Sequence, residues 1–299
     1  AISEAIFKDQ DNYTVRAVGQ LGTIDLFITP DGLGGTFDMT TKLYDIVPLG
    51  TSLAILVERN LESTNKVYCA NEFSQIVSQG QDFCEGDCGS SVIDVLLLRT
   101  PEANTWLSNH FGGLANWFLY MNGHNINLAL TNSLIPNRHI RVTPVNYTPG
   151  FQWSTLPFID FRIQADLDAI SADVNAHNLM IGMGADMVVL LTDNNYTGQF
   201  SDLNSGAIFG IANSLIPTSV NKFSIVQVAN MDASRYTMAH EMSHHFGCHH
   251  SNDNTVQNCP HGTNMSNGRN TIMANNALDF SRIPNFSNPD ISVSGVATG

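Results

Sequence analysis

The chain divides by the rhythm of its apolar positions. Over residues 12–18, 22–28, 36–39, 42–48 and 53–57, apolar and polar side chains alternate in short runs, and turn-forming residues cluster at 30–35. This period-two pattern predicts a small all-β unit, sandwich-like, over residues 1 to about 68. Residues 71–90 break the rhythm with a polar stretch of Gln, Ser, Gly and Asp, and the domain boundary is placed there, giving units 1–89 and 90–299. Residues 91–98 then form a near-continuous apolar run, the pattern of a strand buried on both faces. Pro101 and Glu102 suit a helix start. A long helix is expected from 102 to 133, interrupted at Gly112-Gly113 or at Gly123. A strand at 139–146, a second helix at 161–178 and another buried strand at 184–191 follow. The β-α-β-α-β order predicts an α/β layer built on a mainly parallel sheet.

Further along, one stretch carries chemistry. Residues 240–250 read His-Glu-Met-Ser-His-His-Phe-Gly-Cys-His-His, the pattern H-E-x-x-H-x-x-G-x-x-H. On a helix, positions four apart share a face, so His240 and His244 can aim two imidazoles at one ion, about 2.0–2.1 Å away for zinc. Gly247 can take positive φ, end the helix and let the chain bring His250 up as a third ligand. Three protein ligands leave room for a water, as hydrolysis requires. Glu241 is rotated about 100° from His240 and is placed to accept that water's proton as general base. His249 lacks the spacing of His250; it and His245 are read as surface residues or supports of the ligands. His110, His124, His139, His177 and His261 have no ligand spacing and are read as structural.

Composition narrows the partners. The chain has 299 residues, 43 % of them hydrophobic, which places it among globular proteins with ample sequence for a core. Acidic residues outnumber basic ones 27 to 13, giving a net charge of −14, so nucleic acid and anionic membranes are disfavoured as partners. No apolar run is long enough to span a bilayer. The sequence begins at Ala1 with neither Met nor an apolar leader, and charged residues are only 13 % of it; a secreted form already trimmed of its signal peptide, and monomeric, is expected. Five cysteines, Cys69, Cys84, Cys88, Cys248 and Cys259, leave at least one unpaired within the chain. Cys248 and Cys259 flank the third ligand and are expected to form a disulfide.

With Thr271-Ile272-Met273-Ala274 downstream of the extended motif, the sequence resembles the metzincin metallopeptidases, whose zinc motif is followed by a Met-turn. The strand order, Gly184-Ala185-Asp186, Gly210-Ile211-Ala212, Phe223-Ser224-Ile225-Val226 and the closing segments also resemble the bacterial reprolysin-like type, over residues 91–299. The resemblance implies a metzincin α/β (α+β) catalytic domain with a zinc-binding active-site helix, one catalytic zinc and hydrolysis of protein or peptide substrates; it leaves a structural calcium open. It gives Met273 a supporting role beneath the ligands. It implies that an extended substrate pairs with an edge strand around residues 207–211, and that the S1′ pocket is walled by residues from just after Met273 to about Leu278. Two positions depart from relatives: Asn275 stands where astacin-like proteins carry a zinc-reaching Tyr, and Ser251 where reprolysin-like proteins usually carry Asp. The β unit resembles a propeptide. Metzincin zymogens use a cysteine to cap the zinc, and Cys69 is favoured here, with Cys88 second; alternatively the three upstream cysteines staple the connector or stay as inert thiols. A catalytically degenerate zinc-binding protein and a peptidase dedicated to a special, for example glycosylated, substrate remain as alternatives.

Overall fold

The computed structural model describes residues 2–9, 12–19, 22–29, 32–39, 42–48, 53–58, 91–135, 138–202, 205–213, 222–231, 236–250, 261–274 and 282–299. The alternating N-terminal segment forms one antiparallel sheet of six strands in chain order: β1 (Ile2–Asp9), β2 (Asn12–Gly19), β3 (Gly22–Thr29), β4 (Gly32–Met39), β5 (Leu43–Pro48) and β6 (Ala54–Glu58). Among the described residues it is a single meander rather than a sandwich. The glycines expected to make a turn at 30–35 lie largely inside β4. A side chain on Gly34 would meet the indole of Trp117 at 2.1 Å, and one on Gly35 would meet the Asp25 carbonyl at 1.9 Å. These glycines serve close approach, the other use of glycine in a strand.

The second sheet has the order β12-β13-β9-β7-β8 and is built from β7 (Ser91–Arg99), β8 (Arg138–Asn146), β9 (Met187–Thr192), β12 (Gly210–Ala212) and β13 (Phe223–Gln227). Between β9 and β12, the strands β10 (Thr197–Gln199) and β11 (Ser205–Ala207) pair as a separate antiparallel ribbon, and β14 (Ser292–Val293) and β15 (Val296–Ala297) form a final one. β8, β7, β9 and β13 run parallel, while β12 is an antiparallel edge.

Helices cover both faces of this sheet, which is why its central strands read as unbroken apolar runs. Val95, Leu97, Val189, Leu191 and Val226 face one core with α1 (Pro101–Phe111), α2 (Ala115–Asn132) and α5 (Thr237–His244). Leu96, Leu98, Val188, Leu190 and Ile225 face another with α3 (Ile159–Ser171) and α4 (Val174–Gly182). Each such fully buried side chain contributes about 1.5–3 kcal/mol.

The helix boundaries follow local chemistry. Thr100 caps α1 by accepting from the Ala103 amide at 3.2 Å, with Pro101 in the first turn. The long helix breaks at Gly112, at φ 52°. Gly123 does not break it; a side chain there would meet Val142 at 2.7 Å, so this glycine lets α2 close on β8. The single helix expected at 161–178 is two, because Asp173 turns its carboxylate onto the amides of Asn175 and Ala176 and starts α4. Asp is a strong cap and a poor helix interior residue.

The two sheets meet through α2. Phe27 stacks on His124 with ring centroids 4.8 Å apart and lies in the same core as Trp117. Arg269 donates to the Met39 carbonyl at 3.3 Å. No helix among the described residues is long and apolar enough to cross a membrane.

Candidate active site

α5 has no solvent face. All eight of its residues are buried, and it packs on α2, β12 and β13. Its spacing puts His240 and His244 on one face, one turn apart. Gly247, at φ 81°, ends the helical course: its amide bonds to the His244 carbonyl at 2.9 Å and that of Cys248 reaches back to Ser243 at 3.1 Å. This is the bond pair of a Schellman cap, and the left-handed residue reverses the chain at once. His250 thereby returns to the helix. The rings of His240, His244 and His250 have centroids 4.8–5.1 Å apart, and one ligand atom from each lies within 4.8 Å of the others.

Backbone carbonyls fix the tautomers. His240 Nδ1 lies 2.7 Å from the Ile272 carbonyl, and His244 Nδ1 lies 2.9 Å from that of Cys248. A carbonyl only accepts, so Nδ1 carries the proton in both rings and each Nε2 keeps a lone pair. The Nε2 atoms of His240 and His250 stand 3.1 Å apart. Burial is the main cause holding the imidazoles of His240 and His244 well below their ordinary range; the Arg282 guanidinium is second for His240, and the ring of His250 is second for His244. Neutral, buried imidazoles with converging lone pairs are a donor set that zinc takes, and the carbonyls behind them are the support that metal-binding histidines use.

The Ile272 carbonyl belongs to a turn closed by the Ala274 amide bonding to Thr271 at 3.1 Å. That turn is tied down by Ile272 N–H to the Asn285 carbonyl at 3.0 Å and by Arg282 to the Ala274 carbonyl at 3.2 Å. A side chain on Gly262 would meet the Met273 carbonyl group at 2.1 Å, so the absence of one lets the chain cross the turn. Met273 is buried in the core shared with α5. His261, read from sequence as merely structural, donates from Nδ1 to the His250 carbonyl at 3.1 Å and so supports the third imidazole from behind. His249 bridges His261 through the backbone and is only half-buried. His245 is not at the surface: it is 2 % exposed, following directly on a helix whose residues are all buried.

Glu241 is 1 % exposed and lies against β12, its carboxyl group beside Gly210. The edge strand is Gly210–Ala212; Ala207 belongs instead to the β10–β11 ribbon, opposite Thr197. Cys69, Cys84, Cys88, Cys259, Ser251 and residues 275–278 of the expected S1′ wall lie outside the described residues. Cys248 is buried, and its carbonyl serves His244.

A mainly parallel sheet with an antiparallel edge, a buried helix bearing two of three converging imidazoles and a Met-containing turn beneath it define a metallopeptidase of the reprolysin-like metzincin class. A reprolysin model described as Metallo-peptidase family M12 matches residues 67–287, well over half of the sequence, and the chain belongs to that family. Its fold is similar to that in the crystal structure of metalloproteinase-II from Bacteroides fragilis, at 13 % identity and a TM-score of 0.54, over 96 % of this chain and 84 % of that one. A chain in the structure of a chaperone-substrate complex aligns at 21 % identity and a TM-score of 0.49, over 68 % of this chain but only 30 % of that one. No curated protein matches the sequence.

Proposed function

We propose that this chain is a secreted zinc endopeptidase made as a zymogen, with His240, His244 and His250 holding the metal and Glu241 acting as general base. The observation that carries this reading is the convergence of three buried imidazoles whose Nδ1 protons, in His240 and His244, are committed to backbone carbonyls. When bound, zinc supplies Lewis-acid chemistry that acidifies a water and polarises a carbonyl. Glu241 takes the proton of the attacking water and hands it to the leaving amine, in a setting where burial removes competing solvent.

The substrate is an extended peptide added to β12. Its residues alternate in their backbone direction. Phe209 accepts from Gln227, Ile211 lies opposite Ile225, and Asn213 donates to Phe223, so these three bond inward to β13. Gly210 and Ala212 therefore direct their N–H and C=O groups away from β13, toward an edge that no other described strand covers, where a peptide strand can pair with them.

In this reading residues 1–89 are a removable pro-domain, Cys69 caps the zinc before processing and Cys248 bridges Cys259; these assignments rest on the sequence. The test is cleavage of a denatured protein by the full chain, before and after limited proteolysis, with and without a chelator. Chelator-sensitive hydrolysis that Glu241→Gln abolishes supports the reading. Hydrolysis that survives chelation, or a zinc-loaded processed protein that cleaves nothing, contradicts it.

A further inference from the structure

The place of Glu241 depends on a residue that has no side chain. Gly210 sits in the edge strand opposite Val226, and strand alternation turns its α-carbon toward α5 while Ile211 enters the core on the other face. A Cβ built on Gly210 would lie 2.6 Å from Cγ, 2.7 Å from Oε1 and 2.8 Å from Cδ of Glu241. The volume where any other residue begins its side chain is thus filled by the carboxyl arm of Glu241. The strand offers no other way to admit it: its backbone is tied to β13 on one side, and Ile211 is 1 % exposed on the other face.

We propose that Gly210 is a positioning residue for hydrolysis, resting on the peptidase reading above. Its open backbone groups align the substrate strand, and its missing Cβ lets the base lie flush against that same strand. One residue thereby sets the distance between the peptide being cleaved and the carboxylate that takes the proton. The glycine is not needed for an unusual backbone conformation, since Gly210 is not among the glycines with positive φ. Its role lies in space alone.

The consequence is specific. In Gly210→Ala the new methyl group collides with the arm of a flexible side chain rather than with backbone, so Glu241 swings aside and the strand keeps its register. Misplacing a reacting group by about 1 Å costs on the order of 100-fold in rate. The loss should fall on kcat, with KM changed by no more than about twofold, because the edge that binds the peptide is intact.

The experiment is a double-mutant cycle of Gly210→Ala and Glu241→Ala in the full chain, processed by limited proteolysis where needed, reading kcat, KM, zinc content and melting temperature. Gly210→Ala alone should lose kcat about 100-fold with zinc content unchanged. In the Glu241→Ala background, where the collision is gone, it should lower neither the residual rate nor the melting temperature further. Should Gly210→Ala also destabilise the fold, that loss too should vanish with Glu241→Ala. An active parent whose kcat is untouched by Gly210→Ala overturns the inference. So do losses in rate or melting temperature that persist undiminished in the double variant, which would make Gly210 a purely structural residue. A processed, zinc-loaded parent that hydrolyses nothing counts instead against the peptidase reading itself.

Discussion

The Nδ1 of His240 donates to the carbonyl of Ile272 across 2.7 Å, and this bond ties the zinc-motif helix to the Met-turn. It joins residues 32 positions apart and fixes which nitrogen of His240 is left to bind a metal. A turn that contributes no imidazole therefore sets the tautomer of one on the helix.

The three imidazoles should be separable from their neighbours by metal analysis. His244→Ala and His250→Ala are each expected to lower zinc affinity by more than about 100-fold, beyond the range that supporting residues span. His249→Ala should stay zinc-replete. His261→Ala, which removes the bond to the His250 carbonyl together with the ring contact to His249, should weaken zinc by about 10–100-fold. Inductively coupled plasma mass spectrometry after dialysis at graded chelator concentrations distinguishes the four.

Acid should destabilise the junction between the two sheets. Burial first, and the nearby His139 second, push the His124 imidazole from its ordinary 6.5 down to about 4. Between these values the unfolded chain carries a proton that the folded chain lacks. Stability should therefore fall as pH drops from about 6.5 to about 4 and level off below, by an amount on the order of 3 kcal/mol from this group. In the metal-free protein His240 and His244 act with the same sign. Urea unfolding at pH 7 and pH 5 should show a smaller difference in His124→Phe, which keeps a ring to stack on Phe27.

Gly34→Ala should loosen the N-terminal sheet. The added methyl would fall 2.1 Å from Trp117, whose indole is buried against the strand. Overpacking of this kind costs about 1–3 kcal/mol. Denaturant titration should show the loss, and Trp117→Leu, which leaves room for the methyl, should reduce it. Unchanged stability in Gly34→Ala would mean that Trp117 does not rest on this strand.

The cysteine cap has its own test in the unprocessed chain. Cys69→Ser should be active without proteolysis, while Cys84→Ser and Cys88→Ser stay latent. If all three variants are as latent as the parent, or the parent is fully active uncleaved, the cap does not exist. Peptide mapping under non-reducing conditions reports separately on the pairing of Cys248 with Cys259.

Much of this was legible in the sequence because side-chain pattern and structure share a period. The apolar runs at 91–98 and 184–191 mark strands between two helix layers, and the histidine spacing with Gly247 marks a helix, its cap and a returning third imidazole. What the pattern missed was set by contacts distant in sequence. The carbonyls of Ile272 and Cys248 leave no trace in side-chain identity, and His261 has no ligand spacing because it serves a backbone group. Gly34 and Gly210 look like turn or strand glycines until Trp117 and Glu241 are seen filling the space beside them. Asp173 divided an expected helix because its capping bonds outweighed a continuous apolar period.

The central claim, that His240, His244 and His250 hold the metal that makes this chain a peptidase, is tested most directly by titration. Zinc is returned in steps to the chelator-stripped, proteolytically processed protein, and the initial rate of hydrolysis of a denatured protein substrate is followed. The rate should rise in proportion to added zinc and reach its plateau at about one ion per chain. A rate that is already full without zinc, or that stays at zero after one equivalent has bound, would contradict the account.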